Sequence, residues 1–219
     1  ASPEYGTVCK ISNVLRFPVQ FFYEDDIPVL QGNTYFRALF TSNKRELNSQ
    51  KIKTKYVAQI YATLTRYVDF RAYNVPVFED TTDISKIASQ LRDYWGLGQE
   101  PIPDMVSLLE RNGVVMSEFA TDSSKIDAFS QYDEIKGVPY HCIVLGTEKG
   151  SFVRRQFSCA HELGHIILHE KYEDLSEISR EDFRRREDEA NTFAAEFLLP
   201  REAFLADLQR HANKLNRYI

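Results

Sequence analysis

His161, Glu162 and His165 are the residues of this chain whose types and spacing could do chemistry. On a helix, residues four apart lie about 40° apart around the axis, so the two histidines share a face. Their imidazoles can both reach one Zn²⁺, at roughly 2.0–2.1 Å from nitrogen. Glu162, beside the first of them, can point toward a metal-bound water and take its proton, because the metal lowers the pKa of that water. Gly164 has no side chain and lets another backbone or a substrate come close. A helix with two surface histidines would show the same five letters by chance. The neighbours argue against that reading. Cys159, Leu163, Ile166 and Ile167 form an apolar stripe that buries one side of the helix, and β-rich runs precede it.

A catalytic zinc takes a third protein ligand and keeps a fourth position open. His169 follows His165 by another four residues, but it drifts around the axis and sits about 6 Å further along it. It is expected at the helix end or behind a ligand rather than on the metal. Glu173, Asp174 and Glu177 fall in a polar connecting stretch and are expected in solvent. The following helix is better placed. There Glu187, Asn191, Ala194, Ala195 and Leu198 share a face, with a carboxylate followed by small residues that let two helices approach. This favours Glu187 as third ligand. Asn191, one turn on, can hydrogen-bond an imidazole and orient it. Asp188 and Glu189 are expected to be solvated charges, with Glu189 turned toward Phe193 and Glu196.

These residues need elements to hold them. Ser151 can cap a helix that runs to about His169, and a second helix is expected from about Glu181 to Leu199, with Pro200 opening a last one. Upstream, Val114–Phe119, Ile126–Tyr132 and Val138–Leu145 read as strands, with Lys136-Gly137 as a turn, so a small sheet of about three strands is expected. Further upstream the pattern is helical. Val8, Ile11, Val14 and Leu15 recur at helical spacing until Phe17-Pro18 ends them. Glu24 to Asn33 reads as an acidic, turn-rich connector. A long helix is expected from about Lys44 to Val68. Thr81-Thr82-Asp83 caps another that carries Ile84, Ile87, Ala88, Leu91 and Trp95, and a short helix follows Pro101 and Pro103 and ends at Asn112-Gly113. The expected organisation is residues 1–22 as a short helical lead, 23–78 as a helical connector region, and 79–219 as the α+β part with the metal site.

Composition sets limits on partners. With 219 residues, 43% apolar and 27% charged, the chain has an ordinary soluble make-up. Its net charge of -5 gives no basic face for a polyanion. No apolar run approaches the roughly 20 residues that span a bilayer, and the first residues lack the charged and apolar regions of a leader. Cys9, Cys142 and Cys159 form no C-x-x-C pair, and they read as reduced thiols of a cytoplasmic protein.

Two linked motifs carry a resemblance. One is Phe157-Ser158-Cys159-Ala160-His161-Glu162-Leu163-Gly164-His165-Ile166-Ile167-Leu168-His169. The other is Glu187-x-Glu189-Ala190-Asn191-x-Phe193-Ala194-Ala195-x-Phe197-Leu198-Leu199-Pro200. Together they resemble the ImmA/IrrE family of metallopeptidases. The resemblance extends to Tyr94-Trp95-Gly96-Leu97-Gly98, to Leu108-Leu109-Glu110-x-Asn112-Gly113 and to Ile126-Asp127-Ala128-Phe129-Ser130, so it covers about residues 80–205. It implies a zincin-like peptidase domain of gluzincin type, with His161, His165 and Glu187 on zinc and Glu162 as the catalytic base. It also implies a protein substrate, a repressor that members cut at one site. Leu199 stands where the family usually has Met, a volume-conserving change. Residues 2–22 are similar to the last helix of a phage-repressor (XRE-type) helix-turn-helix domain. That similarity implies a longer protein that binds DNA, of which this chain is a part.

Two readings follow. One is an active zinc peptidase that relieves repression. The other is a DNA-binding regulator whose peptidase-like domain senses a ligand or partner without cutting. The intact Glu162 favours the first, because a purely structural zinc site does not require it. His141 and Tyr140, in a strand, and Tyr172 are candidates to polarise a scissile carbonyl. Val138–Leu145 and Ile126–Tyr132 are candidates to pair with substrate as an added strand. Cys159 and Trp95 read as core, and Arg154 and Arg155 as solvated or paired.

Overall fold

A computed structural model of the chain describes residues 3–25, 30–36, 44–79, 82–120, 127–135, 137–147, 151–169 and 178–215. Thr81, Ile126, Lys136, Tyr172, Glu173, Asp174 and Glu177, all used above, lie outside the described residues. The architecture is α+β. Seven α-helices occur among the described residues: α1 (Tyr5–Leu15), α2 (Lys44–Leu64), α3 (Ile84–Tyr94), α4 (Met105–Arg111), α5 (Phe152–Leu168), α6 (Arg180–Leu198) and α7 (Arg201–Leu215). Three of them, α2, α4 and α5, pack on a sheet of β1 (Leu30–Phe36), β2 (Val115–Phe119), β3 (Ala128–Ile135) and β4 (Val138–Gly146), in the order β1-β3-β4-β2.

The three strands expected from the rear of the chain are β2, β3 and β4. β3 and β4 form an antiparallel hairpin closed at Ile135↔Val138, and β2 lies parallel to β4. The fourth strand is a finding. β1 pairs antiparallel with β3, across a register shift between Gln31 and Thr34. It lies partly in the stretch expected as a connector, because Gly32-Asn33 reads locally as a turn while its pairing partner sits roughly a hundred residues away. As a result, neither strand offered above for pairing with substrate is an edge. β1 covers β3 on one side and β2 covers β4 on the other, so the edges are β1 and β2.

Alternation along β4 divides the core. Ile143 and Leu145 face α5, in a cluster with Cys159, Leu163, Leu109, Ile87 and Phe197. Cys142 and Val144 face the other way, toward Val57 of α2. Ala58 packs there on Ile135 and Tyr140. Thus α2, within the region read as a connector, covers one face of the sheet, and α5 covers the other. α2 ends at Leu64, and the expected last turn to Val68 is hydrogen-bonded turns. In α1, Val8 is buried, whereas Ile11, Val14 and Leu15 of the same apolar stripe are exposed.

The caps follow the sequence. Asp83 accepts from the Lys86 amide, Ser151 from Arg154 and Ser179 from Asp182, each satisfying an orphan donor of the first turn. Asp104 caps α4. Gly113, after α4, has φ +75°, and a Cβ there would lie 2.3 Å from the carbonyl oxygen of Ala72, so only glycine lets the two chains pass. Arg92 is buried in α3. Its guanidinium donates to the carbonyls of Gly98 (2.8 Å), Glu100 (2.5 Å) and Phe197 (2.6 Å), which ties the end of α6 to the loop after α3. Among the described residues no helix is long and apolar enough to cross a membrane.

Candidate metal centre

α5 and α6 pack at close range. A Cβ on Gly164 would meet Ala190 Cα and Phe193 Cδ1 at 3.2 Å, so the approach that this glycine permits is that of the α6 backbone. Ala190 and Ala194 are fully buried beside it. The buried stripe of α6 is Ala190, Phe193, Ala194 and Phe197, with Glu187 and Asn191 at its margin. Ala195, expected on this face, is exposed. The contact face is rotated toward Phe193, because the aromatic ring supplies more apolar area than a methyl group.

This packing brings His161, His165 and Glu187 together. Their Nε2 atoms lie 3.1 Å apart. Glu187 oxygens lie 3.5 Å from that of His161 and 3.3 Å from that of His165. Three ligands about 2.0–2.1 Å from a tetrahedral zinc would stand roughly 3.3–3.4 Å from one another. The observed triangle matches that edge, and two imidazole nitrogens with a carboxylate are a donor set zinc takes. All three are buried or nearly so. Burial raises the carboxyl of Glu187, but hydrogen bonds and charge from His161 and His165 outweigh it and hold the group down at about 2. The residues present therefore fit the metal.

Glu162 is 2% exposed and carries a buried oxygen, Oε2, with no hydrogen-bond partner among the described residues. Burial raises its carboxyl above the ordinary range. His165 and His161 oppose this, and Ser130 of β3 adds a smaller pull in the same direction. A bare, buried carboxylate oxygen beside three converging ligands suits a proton acceptor for water. Ser130 was not singled out by the sequence as a site residue, although it closes the Ile126–Ser130 run.

Around the ligands, Asn191 Oδ1 stands 3.0 Å from His161 Nδ1. That geometry suits an Nδ1–H donating to the amide oxygen, with Nε2 turned to the ligand triangle. On the other side, His165 Nδ1 faces His169 Nδ1 at 3.0 Å, and His169 Nε2 faces Glu189 Oε2 at 3.1 Å. Glu189 is thus not the solvated charge expected from its run. Its other oxygen accepts from Arg185 at 3.0 Å. Its place on the helix turns it away from Glu187, but His169, at the C-cap of α5, reaches across to it.

The remaining candidates sit elsewhere. Tyr140 lies on the α2 side of the sheet, edge-on to Tyr61 at 5.3 Å, so β4 separates it from the ligands. His141, on the α5 side, is buried between rings, stacked on Tyr73 at 4.3 Å and against Tyr132 at 4.9 Å. Cys159 is a core thiol that burial pushes up to about 12. Arg154 pairs with Asp127, and Arg155 with Glu118 at 2.9 Å, anchoring the start of α5 to the strand ends. Trp95 packs on Phe197 and donates to the Asn74 carbonyl at 2.9 Å. Sequence reasoning missed Gln156, whose buried amide joins α5 to α4. It accepts from the Met105 amide at 2.7 Å and donates to Pro103 at 3.0 Å.

The family model described as the IrrE N-terminal-like domain, of the M78 peptidases, matches residues 109–218. That span contains α5, α6 and all the residues of the centre. No curated protein and no solved structure matches the chain.

Proposed function

The chain belongs to the IrrE N-terminal-like peptidase family, and from that premise we propose that it is a zinc-dependent endopeptidase that cuts a regulatory protein, such as a transcriptional repressor, and so relieves repression. The observation that carries the chemistry is the ligand triangle of His161, His165 and Glu187 with the bare Oε2 of Glu162 beside it. The two Nε2 atoms and the Glu187 carboxylate would hold the metal. When bound, zinc polarises a peptide carbonyl and lowers the pKa of water toward about 7.

Glu162 supplies the proton transfers. Its carboxylate takes a proton from the attacking water and returns it to the leaving amine. Its surroundings suit both steps. Burial raises its carboxyl and His165 and His161 oppose this, so the protonated form is more accessible to it than to an ordinary carboxylate. Asn191 holds the ring of His161 in orientation. The repressor as substrate, and DNA binding through a helix-turn-helix domain beside α1, rest on the family resemblance.

Glu162→Gln keeps the shape of the centre and removes the base. The variant should bind zinc as the unchanged chain does, by metal analysis after dialysis, and should lose cleavage of the cognate repressor by at least a hundredfold. Equal cleavage by both would sink the mechanism.

A further inference from the structure

The two histidines of the metal centre are backed by different groups. His161 faces a neutral amide, Asn191 Oδ1, at 3.0 Å. His165 faces a second imidazole, His169, which in turn faces a carboxylate, Glu189, itself paired with Arg185. His169 is no surface group, since its side chain is 4% exposed. Its position at the end of α5 is held by a backbone bond from its own amide to the His165 carbonyl, at 3.3 Å.

The hydrogens in this row can be assigned from geometry. Two Nδ1 atoms 3.0 Å apart share one hydrogen between them. A carboxylate only accepts, so the 3.1 Å contact between His169 Nε2 and Glu189 Oε2 places a hydrogen on that Nε2. Two arrangements remain. If His169 also carries the hydrogen on Nδ1, His165 must be bare at Nδ1 and protonated at Nε2, and it cannot bind a metal there. If His169 is neutral, its Nδ1 accepts from His165 Nδ1–H, and His165 Nε2 is a lone pair aimed at the centre. Only the second arrangement leaves His165 a ligand.

We infer that His169 and Glu189 form a relay that holds His165 in its Nδ1–H tautomer and passes carboxylate charge to it, making His169 and Glu189 positioning residues of the metal centre. The inference rests on the reading of His161, His165 and Glu187 as a metal site. It makes the two nitrogen ligands unequal. His165 is backed through an imidazole by an anion and is the more basic donor, whereas His161 is backed by an uncharged amide. Glu189 belongs to the same turn of α6 as Glu187, so one turn of that helix supplies a direct ligand to the metal and, through two rings, the support of another.

Two measurements test this. In the zinc-loaded chain with ¹⁵N-labelled histidine, long-range proton–nitrogen correlation should show His165 protonated at Nδ1, and His169 protonated at Nε2 and bare at Nδ1. A hydrogen on Nδ1 of His169 would overturn the assignment. Zinc affinity, by competition with a chromogenic chelator, should fall about 10- to 100-fold in His169→Ala and in Glu189→Ala. Glu189→Gln, which keeps an acceptor and loses the charge, should recover part of that loss and shift the visible absorption of the cobalt-substituted centre. Glu189→Ala covers the case in which the buried His169 variant does not fold. Unchanged zinc affinity in Glu189→Ala counts against the relay alone, whereas an unaltered chain that binds no zinc counts against the metal-centre reading itself.

Discussion

Adding one methyl group at Gly164 should separate two quantities that usually move together, fold stability and metal affinity. In Gly164→Ala the new Cβ would stand 3.2 Å from Ala190 Cα and Phe193 Cδ1, and 3.3 Å from the Ala190 carbonyl oxygen. Two of these atoms are backbone, so α6 must retreat by a few tenths of an ångström. Overpacking of this kind costs about 1–3 kcal/mol. Replacing a mid-helix glycine by alanine returns about 1 kcal/mol. Without metal, the chain can accept the retreat, so the net loss of stability should be no more than about 2 kcal/mol. Binding zinc would draw Glu187 back toward His161 and His165 and restore the clash, because a metal site tolerates only about 0.2 Å. A residual strain of about 1–2 kcal/mol then appears in the affinity, as roughly a 5- to 30-fold rise in the zinc Kd. Urea unfolding in chelator gives the first number and competitive zinc titration the second. A large loss of metal-free stability with an unchanged Kd would refute the reasoning.

Three further outcomes are expected. Glu187→Ala removes a direct ligand, so its zinc affinity should fall by more than about 100-fold, beyond the loss expected for an outer partner. A fall no greater than that of Asn191→Ala, in the same titration, would show that Glu187 is not on the metal. Asp133 is fully buried on β3, where burial pushes its carboxyl up to about 6 against the opposing hydrogen bond from Gln131. Its native pKa exceeds the unfolded value, so the native state binds more protons between about pH 4 and pH 6, and stability falls as pH rises through that window. Asp133→Asn should therefore be more stable than the unchanged chain above pH 6, by about 2–3 kcal/mol at most, and equal to it near pH 4. Parallel stability curves across pH 4–7 would exclude this. Arg92→Met leaves three carbonyls without their shared donor and should cost about 3–5 kcal/mol in urea unfolding. An unchanged midpoint would refute its role as a clamp.

What could be read from the sequence was what is local or periodic. Ser151 and Asp83 cap the helices they were expected to open, and α5 ends within a residue of the expected His169. The two motifs place Glu162 between the ligands because a helix converts spacing into direction. What could not be read depends on partners far along the chain. β1 carries turn residues, and nothing near it in sequence shows that β3 will receive it. Arg92 looks like any solvent-facing arginine of an amphipathic helix until the carbonyl of Phe197, 105 residues away, arrives beside it. Glu189 looks like one more charge in an acidic and basic run, and only the position of His169 gives it work. Ala195 shows the limit of face arithmetic. A shift of one residue in the contact stripe is enough to expose it, and the size of Phe193 sets that shift.

The clamp on α6 has one more consequence. At its end the helix is held by the buried cation of Arg92 on the Phe197 carbonyl, a bond that reaches it from α3. Positive charge there also meets the negative end of the helix dipole. α6 is in effect a beam pinned at its far end, with the metal-facing carboxylate near its middle. A beam so mounted cannot slide or turn without breaking that pin, and a slip of one residue would swing Glu187 by about 100° around the axis. A change at Arg92, far from the centre, should therefore register in metal affinity before it registers in the shape of the fold.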